Sequence, residues 1–277
     1  MKLQGKIGFL GGGRMAEALI KGILGAGLID PMMVVVVDPV EERRRLLAEQ
    51  FKVTVSLDPN EVTSCATVIL AVKPQVLSGL LADNRDLFTA EHLVISIAAG
   101  VSLKTLESLL AGTGSRVIRM MPNTPALVLE GAAALSAGAR ATKNDIDTTV
   151  AIFEAVGRCV ILSEKEMDAV TGLSGSGPAY VFSFIEALID AGVKVGLSRP
   201  VAETLALQTV LGSVRLAMES REHPAQLRAM VTSPGGTTIA GLHVMERAGF
   251  QGIIMDAVEA ATSRSRELGI EAAKADS

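Results

Sequence analysis

From Lys6 to about Ile161, short β-branched runs alternate with longer stretches whose apolar residues recur at helical spacing. This is the pattern of repeated βα units feeding a mostly parallel sheet. The runs expected as strands are Ile7–Leu10, Met33–Val37, Ala66–Val72, Leu93–Ile97, Arg116–Met120 and Arg158–Ile161. They are apolar throughout rather than alternating, as strands covered on both faces are. Two helix starts are marked by Asp38-Pro39-Val40-Glu41 and Asp58-Pro59-Asn60-Glu61, each with Asp at N-cap, Pro in the first turn and Glu at N3. After Ser163 convincing strands stop, and helices are expected over Tyr180–Val195, Pro200–Glu219, Pro224–Met230, Thr237–Ala248 and Gly252–Leu268. The fold class is therefore α/β followed by all-α: a doubly wound, mostly parallel sheet in residues 1–162 and a helical domain in 163–277. The helices of the second part carry Ala, Leu, Val and Ile on more than one face, which predicts burial on both sides and hence at least a dimer.

Composition narrows the partners. With 26 Lys and Arg against 30 Asp and Glu, a net charge of −4 and an aromatic content of 3%, the chain has neither the basic surplus nor the stacking platforms that nucleic acid needs. Cys65 and Cys159 are far apart and no His cluster accompanies them, so neither a disulfide framework nor a metal site is expected, and a reducing cytoplasm is the default location. The amino-terminal stretch is short, glycine-rich and without a small-residue cleavage site, so it does not read as a signal peptide. The longest uncharged run, Ala169 to Ile185, is broken by glycines and Pro178 and falls short of the ~20 residues of a membrane span.

The first strand leads into Gly11-Gly12-Gly13-Arg14-Met15-Ala16, a GxGxxA loop that opens a helix. Gly11 would make the tight turn, Gly13 would let backbone approach a pyrophosphate, and Ala16 would allow close helix–sheet packing. Asp38, closing the second strand, stands where an acidic residue hydrogen-bonds the ribose of NAD, and it is equally well explained as a helix cap. Arg43, Arg44 and Arg45 follow, either as phosphate partners or as a solvated helix face, so NADP and NAD both remain open. Ala71-Val72-Lys73-Pro74 and Ser96-Ile97-Ala98 end further strands, where ligands bind in open α/β sheets. In Met121-Pro122-Asn123-Thr124-Pro125, the Asn123 amide either meets a nicotinamide or belongs to a turn that redirects the chain.

In the second part, Ser174-Gly175-Ser176-Gly177-Pro178 and Thr232-Ser233-Pro234-Gly235-Gly236-Thr237-Thr238 are polar, glycine-rich islands. The latter offers either an anion-binding nest suited to a carboxylate or an N-cap with Ser233 or Thr237 as the capping hydroxyl. His92, His223 and His243 read as structural. The β-hydroxyacid dehydrogenases share this layout with a GxxGxGxxxK motif; Gly172, Gly175 and Gly177 match it, but Val181 occupies the lysine position, which argues against alcohol oxidation.

The glycine loop, Ala71–Pro74, Met121–Pro125, Ser174–Tyr180 and Thr232–Ala240, taken in order, make the chain resemble the Δ1-pyrroline-5-carboxylate reductases from end to end. The resemblance implies a Rossmann domain followed by a helical dimerisation domain that interleaves with a second chain. It implies reduction by NADPH or NADH of a cyclic imine to L-proline, the last step of proline biosynthesis. Carried over by position, Ser233, Gly235, Gly236 and Thr237 would hold the substrate carboxylate, and the Thr238 hydroxyl would meet the ring nitrogen. Gly11, Gly13, Arg14 and Met15 would hold the pyrophosphate. Ala71, Val72, Lys73, Pro74, Ser96, Ile97 and Ala98 would line the nucleotide cleft, with Asn123 near the nicotinamide. The chain departs from the family pattern at Asp38, where many members carry a small hydroxyl or amide, and at Asp58, where the family has asparagine. Another imine reductase, or a nucleotide sensor without turnover, is the rival reading.

Overall fold

In a computed structural model, which describes residues 2–275, eight strands form one sheet. They are β1 (Lys6–Leu10), β2 (Val34–Val37), β3 (Thr54–Ser56), β4 (Cys65–Leu70), β5 (Leu93–Ser96), β6 (Arg116–Met121), β7 (Gly131–Ala137) and β8 (Gly157–Ile161). Their order is β3-β2-β1-β4-β5-β6-β7-β8, with only the β6–β7 pair antiparallel. The six expected runs are all strands, and two more lie between them. β3 is only three residues long, and β7 reads Gly-Ala-Ala-Ala-Leu-Ser-Ala, too poor in β-branched residues to announce itself.

The helices are α1 (Arg14–Gly25), α2 (Glu41–Phe51), α3 (Pro74–Asn84), α4 (Leu103–Leu109), α5 (Lys143–Glu154), α6 (Met167–Val170), α7 (Gly177–Lys194), α8 (Arg199–Ser220), α9 (Pro224–Met230), α10 (Thr237–Arg247) and α11 (Phe250–Ala275). Two expected starts are corrected. α2 begins at Glu41 with Val40 as its cap, because the Asp38 side chain is drawn into the glycine loop. Asp58 does cap, accepting from the Asn60 N–H, but the element it starts is a 3-10 helix, Pro59–Ser64.

Strand alternation splits the core into two layers. Val34, Val36, Ile7 and Phe9 pack with Leu19, Ile20 and Ile23 of α1 on one face, while Val35, Val37, Leu10 and Leu70 pack with Leu77 and Leu81 of α3 on the other. Each such side chain contributes about 2 kcal/mol by leaving water. That is why Val34–Val37 is continuously apolar, since both faces of the strand are covered. Beyond β8, Glu164 reaches back to accept from Arg119 at 2.6 Å and from the Leu103 N–H at 3.0 Å, pinning the exit from the sheet.

The chain packs as two compact units: the sheet with everything up to Ser176 and the segment from Glu259 onward, and an inserted helical unit, Gly177–Val258. Within the helical unit α7 and α8 pack on each other with Ala202 and Ala206 buried, and Tyr180 donates to the Ala257 carbonyl at 3.4 Å. Thr171–Gly175 is a π-helical turn, so the first polar island is a continuation of helix rather than a loop.

Candidate active site

Strand order turns around at β1, which has β2 on one side and β4 on the other, and in such a sheet the crevice opens at the carboxyl ends of those strands. The connecting segments leave in step: the Gly11 N–H donates to the Val37 carbonyl at 2.8 Å, Ala71 N–H to Leu10 at 2.8 Å and Ile97 N–H to Leu70 at 3.2 Å. These bonds set Gly11–Met15, Asp38, Ala71–Pro74 and Ser96–Ala98 along one edge of the sheet. Gly11 has φ +102°, and a Cβ there would stand 2.6 Å from the Ala71 carbonyl oxygen, so the turn requires glycine. Gly13 is the opposite case, exposed and with nothing within 4 Å of where a Cβ would be. It is also the N-cap of α1 and carries no side-chain cap. Open space in front of uncapped amides at a helix N-terminus fits a dinucleotide pyrophosphate.

The middle glycine is held at both ends by the neighbouring βα unit. The Gly12 N–H donates to Asp38 Oδ2 at 2.6 Å, and the Gly12 carbonyl accepts from Arg43 Nε at 2.8 Å. Asp38, nearly buried, also accepts the Val40 N–H at 2.8 Å, so it serves loop and helix together. Arg43 Nη2 pairs with Glu17 of α1 at 2.7 Å, and Arg44 Nη1 donates to the Asp38 carbonyl at 2.6 Å. Neither arginine is part of a merely solvated face; only Arg45 is exposed. Sequence reasoning saw Asp38 but missed Gly12 and Arg43 as a clamp. The one available signal was an arginine five residues beyond Asp38, on the helix that returns past the loop.

Lys73 is exposed and caps α3 through its backbone, with Pro74 in the first turn. Ser96 is fully buried and its hydroxyl accepts the Ala98 N–H at 3.3 Å, shaping the turn after β5 rather than facing outward. Asn123 follows β6; its amide donates to the Ser174 carbonyl at 3.1 Å and accepts the Ala132 N–H at 2.8 Å, so the side chain braces the turn. His92 and His223 each accept a backbone N–H, from Thr89 at 3.0 Å and Ala225 at 3.2 Å. Among the described residues there is no cluster that could hold a metal ion.

In the helical unit, Ser233–Gly236 forms a turn closed by Gly236 N–H to Ser233 carbonyl at 3.1 Å, with Gly235 at φ +66°. Gly236 is the N-cap of α10 and has no side-chain cap, so neither Ser233 nor Thr237 takes the capping role. The first amides of this helix thus follow a glycine pair with open space beside Gly235. Thr238, half-buried, sits one residue inside the helix. A carboxylate suits such an end, since the orphan N–H groups and the helix dipole both favour an anion.

A family model described as pyrroline-5-carboxylate reductase dimerisation matches residues 164–268. A second, described as NADP oxidoreductase, coenzyme F420-dependent, matches residues 6–100. Among curated proteins, the pyrroline-5-carboxylate reductase of Methanosarcina acetivorans is 47% identical over 265 residues, 95% of this chain and 98% of that protein. Among solved structures, the pyrroline-5-carboxylate reductase of Coxiella burnetii superposes with a TM-score of 0.90 at 36% identity, over 96% of this chain and 99% of that one. The Plasmodium falciparum pyrroline carboxylate reductase, solved with NADP bound, has a TM-score of 0.87 at 35% identity, over 97% and 100%.

Proposed function

The chain belongs to the pyrroline-5-carboxylate reductase family, and from that premise we propose which of its residues carry the reaction. It is an NAD(P)H-dependent oxidoreductase that reduces the C=N bond of 1-pyrroline-5-carboxylate to give L-proline. When bound, the reduced nicotinamide supplies the hydride that the imine carbon receives.

Gly13, Arg14 and Met15 hold the pyrophosphate through backbone amides at the start of α1, and Gly11, whose own N–H is taken by the Val37 carbonyl, makes the turn that presents them. Asp38, Ala71–Pro74 and Ser96–Ala98 shape the nucleotide cleft, and Asn123 braces the turn beside the nicotinamide. Ser233 and the amides of Gly235 and Thr237 bind the substrate carboxylate, and Gly236, whose own N–H closes the turn onto Ser233, lets the backbone approach it. The Thr238 hydroxyl hydrogen-bonds the ring nitrogen, whose proton comes from water. A cyclic imine is basic enough to be protonated from water, so the protein's main task is to hold the ring in near-attack geometry, and no dedicated proton donor is needed. The observation that carries this reading is the uncapped N-terminus of α10 behind the Gly235-Gly236 turn.

Residues 163–277 serve dimerisation and substrate binding, and the working form is a homodimer or higher oligomer in the cytoplasm. Among the described residues no helix is long and apolar enough to cross a membrane. Absorbance of NADH and NADPH, followed separately with pyrroline-5-carboxylate, tests the assignment. Oxidation that requires the imine is expected, and its absence with both nucleotides would refute the reaction.

A further inference from the structure

We propose that Asp38 determines coenzyme choice, favouring the dinucleotide with a free ribose 2′-hydroxyl, NADH, over its 2′-phosphorylated counterpart. The inference rests on the nucleotide-binding part of the reading above. In a sheet wound this way, the residue closing the second strand stands beside the adenosine ribose. Here it is a carboxylate fixed by two backbone donors from different segments, Gly12 at 2.6 Å and Val40 at 2.8 Å. Turning it aside to admit a phosphate would strand both N–H groups, and the Gly12 amide is buried.

The cations that would offset a phosphate are already engaged. Arg43 is spent on the Gly12 carbonyl and on Glu17, and Arg44 lies on the Asp38 carbonyl. A 2′-phosphate therefore meets a fixed negative group, which is a repulsive element of the kind that sets specificity. A 2′-hydroxyl can instead donate to it, because a carboxylate has about four acceptor positions and only two are taken. Both oxygens act at once: the same residue that shapes the phosphate loop through Gly12 reads the ribose.

Binding of NAD+ and NADP+ to the full chain by titration calorimetry, with 5′-AMP and 2′,5′-ADP as fragment probes, tests this without any imine. The expected result is NAD+ tighter by about tenfold or more. Asp38→Asn, which keeps an oxygen acceptor and removes the charge, should shift the ratio toward NADP+ by about tenfold. Equal affinities, or tighter NADP+, in the native chain would overturn the proposal. So would an Asp38→Asn chain that loses both nucleotides by the same factor, since that is the signature of a purely structural cap. If Asp38→Asn does not fold, the native ratio and its Asp38→Ser counterpart decide. Selective NAD+ binding without imine-dependent oxidation would leave this inference standing and remove the reductase assignment, whereas NADPH-preferring turnover would do the reverse.

Discussion

Gly11 and Gly13 differ by two positions and ask for glycine for unlike reasons, which makes them separable by experiment. At Gly11 the backbone is left-handed and a Cβ would strike the Ala71 carbonyl, so Gly11→Ala should cost about 1–3 kcal/mol, read as a fall in Tm. At Gly13 a side chain meets only open space, so Gly13→Val should lower stability by no more than about 1 kcal/mol, as an unfavourable N-cap, while abolishing nucleotide binding in a fluorescence titration. A nucleotide that still bound normally would place the pyrophosphate elsewhere. On the role proposed for it, Thr238→Ala would remove one hydrogen bond of about 1 kcal/mol, so kcat should drop about fivefold or more with nucleotide affinity unchanged. An unaltered kcat would take Thr238 out of the site.

At the scale of elements, α5 shows how a helix start is tied to the sheet. Thr142 caps it by accepting the Asp145 N–H, and Asp145 answers by accepting the Thr142 N–H at 2.8 Å and hydroxyl at 2.7 Å, while Arg116 of β6 donates to the same carboxylate at 3.0 Å. Burial pushes the Asp145 carboxyl upward, but the Thr142 bonds and the Arg116 guanidinium outweigh it and hold it below its ordinary value of 3.8. A depressed carboxyl stabilises the fold above its unfolded value and loses that contribution as pH falls through the folded one. Asp145→Ala should therefore cost about 2 kcal/mol near neutrality, and its Tm deficit against the native chain should shrink as pH drops below 3.8; a deficit independent of pH would assign it to packing. The cap was not among the features legible in sequence, although Thr142 and Asp145 stand at its spacing. What was legible were elements with strong local signals: the β-branched strands, the glycine loop and the proline-led helices α8 and α9. What was hidden depended on neighbours. β7 is a strand because β6 and β8 flank a run of alanines, and Arg43 is a clamp only once α2 has packed back beside α1.

For the whole molecule, the helical unit leaves Leu207, Leu211, Val214 and Met218 of α8 exposed at three- and four-residue spacing, a stripe along one side of a helix. A second copy covering it would gain about 2 kcal/mol for each such side chain. Leu211→Arg should accordingly shift sedimentation from dimer or larger toward monomer, and an unchanged distribution would place the interface on another face. The helical unit is also an insertion: the chain leaves the sheet-bearing unit at Ser176 and returns to it at Glu259, within α11. On return, Thr262 and Ser265 are buried, and the Ser265 hydroxyl donates to Asp168 at 2.7 Å, across 97 positions of sequence. During synthesis on the ribosome, the sheet-bearing unit therefore lacks the Asp168–Ser265 contact until the entire insert has emerged. The sheet-bearing unit thus completes its packing last, with a segment translated after the whole of the insert.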